Sequence, residues 1–508
     1  MATNTRAVAF ATNPFSGLGE TDRRVLSFGA AIGKEFDWSV LITATEMDEE
    51  PLAELLERLV HRGILKELNG GDTYAFVRIE SFTQAYRDIS TSRLRVIHKK
   101  VALAYEKLHP NPTPEVIPEI GRHFYLGGVH EKSLLYNRYA ARTAMAAFSP
   151  DVALFYLERA RENLAALPGD HRLETADVLK EMGEQYSAMG DASRADQFYG
   201  ESLAKLPEEE VTMRGLVLLS RAIAAREMDK LGLLRKYCED ALQLLEKAGH
   251  RKGMALAHRT LSAAAYKEGK FEAGWMEIEA TLALLDPEKD ARDVASCYIG
   301  FGNLLSSRPT PEEQARAIEY YRMAIKTLEP LHDYPRLGSA HNNIAVAIGV
   351  SNPREALNEL KEARTCAERS RNRRFLGWVL FNSVEMHLEL GEEMQAAQNN
   401  AEARRILSRY DDPSGLQHVA FNDGILAHRR KAFEDSEKAF RESLKRAEDI
   451  GYPSLIAEVL IYMAMMYADW GKKDEANRVV SRIREIGEEK VHPSNRLYYE
   501  NVKKRLSV

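Results

Sequence analysis

Residues 178–207 read VLKEMGEQYSAMGDASRADQFYGESLAKLP. Gly190 lies in the middle of AMGDAS (188–193), where a residue free to take the left-handed conformation closes one helix and turns the chain into the next. Beyond the turn, Ala195 and Ser202 are seven residues apart. That is two helical turns, so they share a face, with Tyr199 between them. Small, large, small on one face lets a neighbouring helix pack closely around a single knob. The stretch is a helix, a glycine turn and a second helix, a unit that cannot bury its apolar face alone.

The same pattern runs along most of the chain. Small residues recur at Ala153, Ala195, Gly274, Ala317, Ala356, Ala396, Ser436 and Ala476. A second series lies seven residues on, at Ala160, Ser202, Ala241, Thr281, Ala324, Ala363, Ala403 and Ser443. Adjacent occurrences are mostly 39 to 43 residues apart, and a fixed period of this size is the mark of a stacked array. KEGKFE (267–272), ELGEEM (389–394) and DWGKKD (469–474) repeat the glycine turn. The expected fold class is all-α, about nine helix-turn-helix units of about 40 residues.

The residues of 178–207 resemble the tetratricopeptide repeat, carrying that family's set as Gly183, Tyr186, Gly190, Ala195, Tyr199, Ser202 and Pro207. MAMMYADWGKKDEANRVV (463–480) carries most of it again, and the likeness covers roughly 115–490. It implies a right-handed α-superhelix whose first helices line a concave surface.

The first hundred residues differ. ETDRRVLSFGAAIG, FDWSVLITAT and EEPLAELLERLVHRG read as three short helices. ILKELNGGDTYAFVRI then gives two strand-like runs around Asn69-Gly70-Gly71-Asp72, a hairpin signal. Three helices and one β-hairpin make a winged helix. The block resembles the winged-helix segment of STAND-type signal-transduction ATPases, including large LuxR-type and maltose-operon regulators, at AAIGKEFDWSVL (30–41), LLERLVHRGIL (55–65), YAF (74–76) and RLRVIHKKVALAYE (93–106). Where that family often has Phe-x-His after the hairpin, this chain has Phe76-Val77-Arg78. The expected organisation is a tail (1–20), a winged helix (21–109), the stiff PNPTP linker (110–114) and the array (115–508).

In the resembled proteins an ATPase domain precedes the winged helix. Only about 20 residues precede it here, and no G-x-x-x-x-G-K-[ST] occurs. GVHEKS (128–133) has Glu131 where a phosphate cradle needs glycine, and GFGNLL (300–305) has no strand before it. The resemblance therefore implies a separately encoded ATPase as one partner, or a longer protein of which these 508 residues are a fragment. Asp48, Glu49, Glu50, Glu54 and Glu57 outweigh Arg58 and Arg62 on the helix that would enter a DNA groove, which argues against nucleic acid.

Composition narrows the rest. A net charge of −6 with 29% charged residues describes a folded chain with no global attraction to nucleic acid or anionic membrane. The three cysteines, Cys238, Cys297 and Cys366, are unclustered, which fits a reducing, cytoplasmic setting. No 18-residue apolar run occurs. The fourteen histidines show no metal-ligand spacing, and no nucleophile elbow is present. No enzyme chemistry, catalytic residue, metal or cofactor is expected.

One polar position stands out on the first helices: Asn342, Asn382 and Asn422, 40 residues apart, with Asn303 offset by a longer turn at SSRPTPEEQ. An amide can donate and accept together, so such a ladder can bridge the backbone of an extended peptide, as in peptide-binding tetratricopeptide proteins. It can equally bond neighbouring helices. His341, Trp378, Phe381, His418 and Phe421 are candidates to line the same groove. The basic runs RSRNRR (369–374) and HRRK (428–431) fall in loops at opposite edges and read as solvated. The leading expectation is a non-catalytic protein- or peptide-binding scaffold or signalling module. The competing ones are a small-molecule-sensing regulator, a DNA-binding regulator and a self-assembling homo-oligomer.

Overall fold

A computed structural model describes residues 15–307, 310–410, 412–491 and 495–506. Residues 1–14 of the expected tail, and Arg308 and Pro309 of the SSRPTPEEQ turn, lie outside the described residues. The chain divides into two compact units, 1–248 and 249–508.

The first unit opens with α1 (Glu20–Ile32), β1 (Glu35–Asp37), α2 (Trp38–Thr45), α3 (Glu49–His61), β2 (Leu65–Leu68), β3 (Thr73–Phe76) and α4 (Ile79–Arg87). The strands form an antiparallel sheet in the order β1-β3-β2, with Leu65 opposite Phe76 and Glu35 opposite Ala75. Gly70 and Gly71 take φ of 69° and 101° in the β2–β3 turn, a conformation that favours glycine. The expected two-strand hairpin thus carries a third strand, and FDWSVLITAT is not helical throughout. Phe36 is the reason: buried between the rings of Tyr74 and Phe76, it holds three residues extended against β3 before the helix begins at Trp38. Phe15 and Leu18, before the expected boundary at 20, are buried in the same core as Phe28, Leu56 and Phe76.

Next come α5 (Thr91–Leu108) and α6 (Ile117–Leu126), on either side of the proline-rich linker. They are joined through buried side chains. His98 on α5 and His123 on α6 meet Nδ1 to Nδ1 at 2.9 Å, the Tyr86 hydroxyl is 3.2 Å from His98 Nε2, and Arg122 Nη2 is 3.2 Å from His123 Nε2. Arg122 also donates to the carbonyl of Ile32 on α1 at 3.0 Å. Three antiparallel pairs follow: α7 (His130–Ala146) with α8 (Pro150–Ala166), α9 (Arg172–Ala188) with α10 (Ala192–Lys205), and α11 (Val211–Glu227) with α12 (Leu231–Lys247).

The second unit stacks six pairs: α13 (Arg251–Lys267) with α14 (Phe271–Leu284), α15 (Ala291–Ser306) with α16 (Pro311–Leu328), α17 (Tyr334–Ile348) with α18 (Pro353–Arg369), α19 (Arg373–Glu389) with α20 (Glu393–Leu407), α21 (Pro413–Arg429) with α22 (Phe433–Ile450), and α23 (Pro453–Asp469) with α24 (Lys473–Ile486). α25 (Arg496–Leu506) packs on α23 and α24 through Tyr499 and Val502.

The knobs on the second helices have matching holes on the first. A Cβ on Gly183 would lie 2.6 Å from the ring of Tyr199, one on Gly302 2.4 Å from Tyr321, and one on Gly424 2.5 Å from Phe440. Glycine there lets each ring reach its partner's backbone, and all three rings are buried. Gly190, Gly269, Gly391 and Gly471 close first helices with φ between 72° and 82°. Phe148, Asp229 and Lys431 take positive φ at the corresponding turns of other pairs, without glycine, and Arg371 does so in the loop between α18 and α19.

Candidate functional site

The first helices of the second unit carry the asparagine series, and the structure shows what its amides do. Asn382 Nδ2 on α19 donates to Asn342 Oδ1 on α17 at 2.9 Å. Asn342 Nδ2 makes a longer 3.5 Å contact to Asn343 Oδ1, and Asn343 Nδ2 donates to Asn303 Oδ1 on α15 at 2.9 Å. Asn303 Oδ1 also accepts from the Tyr321 hydroxyl at 2.8 Å. Donation therefore runs one way, from α19 through α17 to α15. Asn422 on α21 gives Nδ2 to the backbone carbonyl of Phe381 at 3.1 Å and to Asn400 Oδ1 at 3.3 Å. The amides are mostly spent joining one repeat to the next. The Oδ1 atoms of Asn382 and Asn422 take no hydrogen bond among the described residues.

These two residues line one pocket of about 180 Å³. α19 contributes Phe381, Asn382, Glu385 and Met386, α21 contributes His418, Phe421 and Asn422, α23 contributes Glu458, and Ala345, Val346 and Leu360 of α17 and α18 also line it. Five of the nine residues expected from sequence therefore meet here. The rings of Phe381 and His418 stack at 5.1 Å, and Phe421 meets Tyr462 edge-on at 4.9 Å. Tyr462 in turn lies 5.7 Å from Tyr498 of α25.

The other four candidates stand elsewhere. Asn303 and Asn342 are held in the amide chain. His341 Nδ1 pairs with Glu359 of α18 at 2.6 Å. The indole N–H of Trp378 goes to Asp412 at 3.0 Å, although its ring still touches Phe381 and His418. The basic runs are largely tied down as well. Arg374 bonds Asp412, Arg369 stacks on Tyr334, Arg429 pairs with Glu389 and Arg430 with Glu393.

Sequence reasoning missed the carboxylates. Glu385 makes no hydrogen bond or ion pair among the described residues. Packing around it pushes its carboxyl above the usual range, as do the charges of Glu458 and Glu389, while Arg429 pulls the other way. Glu458 is likewise raised by burial, against a 3.0 Å hydrogen bond from Asn495 Nδ2. Burial lowers His418 to about 4, so its ring is neutral at pH 7. Glu385 follows Asn382 by three residues and Glu458 precedes Tyr462 by four, so both share the stripe that the asparagine spacing marks. Among the described residues no group of His, Cys, Asp and Glu is placed to hold a metal, and no helix is long and apolar enough to cross a membrane.

No protein-family profile and no curated protein matches the chain. Solved structures do. A Rap protein complexed with Competence and Sporulation Factor is similar at a TM-score of 0.52 and 11% identity, over 71% of this chain and 98% of that one. The fold is all-α and tetratricopeptide-like. The tetratricopeptide-repeat STAND sensor protein of Pyrococcus horikoshii aligns over 96% of this chain at a TM-score of 0.44 and 13% identity, and the chain spans 66% of its length. A Rap conjugation gene regulator of plasmid pLS20, in complex with the Phr* peptide, aligns over 76% of this chain and 97% of its own at 0.40 and 12%.

Proposed function

We propose that this chain is a non-catalytic binding module that holds a peptide or protein segment against the first helices of its second unit. The observation that carries the reading is the convergence of Asn382, Asn422, Phe381, His418 and Phe421 on one pocket. Its volume, about 180 Å³, suits a single side chain, whereas pockets for drug-sized ligands run to roughly 300–1,000 Å³. Each amide that engages a peptide contributes about 1 kcal/mol net. The Rap protein of like fold was solved with Competence and Sporulation Factor, which supports a bound partner as a use of this architecture. In this reading residues 21–109 are a winged helix serving as a packing adaptor, 110–114 is a linker, 115–508 is the repeat region, and a separately encoded ATPase is a candidate partner. The test is affinity capture from the native cell's lysate with the intact chain and with Asn382→Ala/Asn422→Ala, both checked for helicity. A partner held by the first and lost by the second supports the reading. A partner held equally by both sends the function to another surface.

A second reading, small-molecule sensing, draws on a groove of about 870 Å³ between α18, α19 and α20, lined in part by Leu357, Lys361, Arg364, Leu380 and Met394. Native mass spectrometry of the protein purified from its own cells tests it. A retained small-molecule mass favours the sensor, and a bare chain beside a captured peptide favours the first reading.

A further inference from the structure

We propose that the pocket between α19, α21 and α23 takes the side chain of a lysine or arginine, so that the peptide this module binds is selected for one cationic residue. The inference rests on the peptide-binding reading above and adds what the peptide must carry.

The pocket's polar atoms are mostly acceptors. Glu385 brings a carboxyl that makes no ion pair among the described residues, and Glu458 brings a second that accepts from Asn495. Asn382 and Asn422, whose Nδ2 atoms donate to Asn342, Phe381 and Asn400, add Oδ1 atoms that accept nothing among the described residues. The donation direction along the asparagine chain fixes that orientation: Asn303 Oδ1 receives two donors, so each amide in turn presents its oxygen backward and leaves the last oxygen, at Asn382, unused. Against these acceptors stand one spare N–H on Asn382 and one ring N–H on neutral His418. Ammonium and guanidinium groups are donor-only and cationic, which matches this inventory.

The walls fit the same occupant. Phe381, His418 and Phe421 line the pocket with aromatic rings, against which the methylene stem of a lysine or arginine packs. The charge of Glu458 raises the Glu385 carboxyl, and a cation bound in the same pocket offsets that repulsion. A neutral or acidic side chain of equal size leaves the acceptors unpaired or adds a third negative charge. Arg429, whose charge acts on Glu385, is already engaged with Glu389 and the carbonyl of Leu388.

The experiment uses the full chain, immobilised and exposed to a mixed library of acetylated five-residue peptides at pH 7.5, with bound peptides sequenced. The wild-type chain is expected to enrich Lys and Arg about tenfold over Met at one position. Glu385→Gln/Glu458→Gln, which keeps shape and relieves repulsion, is expected to lose that preference while preferences at other positions persist. Glu385→Lys, if folded by circular dichroism, should turn the preference toward Asp and Glu. Peptides enriched without a cationic preference, or with one unchanged in the Gln variant, overturn this proposal and leave the peptide-binding reading standing. No enrichment over a blank matrix overturns both.

Discussion

The Nδ1 atoms of His98 and His123 face each other at 2.9 Å with both rings closed off from water. Arg122 is donor-only, so His123 Nε2 accepts and His123 Nδ1 carries the proton. That proton is donated to His98 Nδ1, which leaves His98 Nε2–H to donate to the Tyr86 hydroxyl. The pair is neutral, and it joins the helices on either side of the linker.

Acid should therefore loosen the first unit. Burial, then the Arg122 charge, lowers His98 from 6.5 to about 4, and burial with Arg122 and His98 lowers His123 to about 2. Well above pH 6.5 neither folded nor unfolded chain binds these protons and stability is unaffected. Below it the unfolded chain takes them up and the folded one does not, so stability falls as pH falls. The loss is about 2 kcal/mol per ring at pH 5.0. Urea unfolding at pH 7.5 and 5.0 measures it, and His98→Gln should remove about half the difference. Equal stability at both values would refute the burial of both rings in the neutral form.

The glycine holes give a contrast between two alanine substitutions. Gly424→Ala puts a methyl 2.5 Å from the Phe440 ring and should cost about 1–3 kcal/mol. Gly232→Ala meets nothing within 4 Å near the start of α12 and should be neutral or stabilise by about 0.5–1 kcal/mol. Thermal unfolding of the two variants decides, and a like effect for both would mean the close contact is not formed.

Asp412 ties two repeats together. Fully buried, it caps α21 through the Gly415 N–H at 2.9 Å while accepting from Arg374 at 2.6 Å and Trp378 at 3.0 Å. Burial opposes its ionisation, but these three donors hold the carboxyl below its ordinary value. Its contribution is thus present above about pH 3.9 and lost as pH falls below that. Asp412→Ala should cost about 2–4 kcal/mol, from the lost cap and the stranded indole N–H, and shift Trp378 emission. Unchanged emission would contradict the indole bond.

The asparagine chain predicts energetic coupling between repeats. In a double-mutant cycle, Asn342→Ala and Asn382→Ala should be non-additive by about 0.5–1.5 kcal/mol. Additive effects would mean that the 2.9 Å bond contributes nothing measurable.

The periodic part of the molecule was open to reading because its cause is local. Small residues seven apart, a ring between them and a glycine turn state a helix pair without reference to anything distant. β1 was hidden because three residues are too few to display a period, and Phe36 is held extended by rings that come forty residues later. The asparagines could be located but not oriented. Which atom each amide offers depends on Tyr321, Asn343 and Asn400, and the first and last of these lie on second helices. Glu385 and Glu458 come together only because α19, α21 and α23 stack.

The close fit of Gly183 against Tyr199 also sets an order on the changes this unit can undergo. If Tyr199 first shrinks, a cavity opens and Gly183 is then free to gain a side chain. If Gly183 changes first, the new methyl meets the ring at 2.6 Å and the fold suffers at once. Drift between this pairing and one of two middle-sized residues therefore has one passable direction: the ring must retreat before the backbone can be covered.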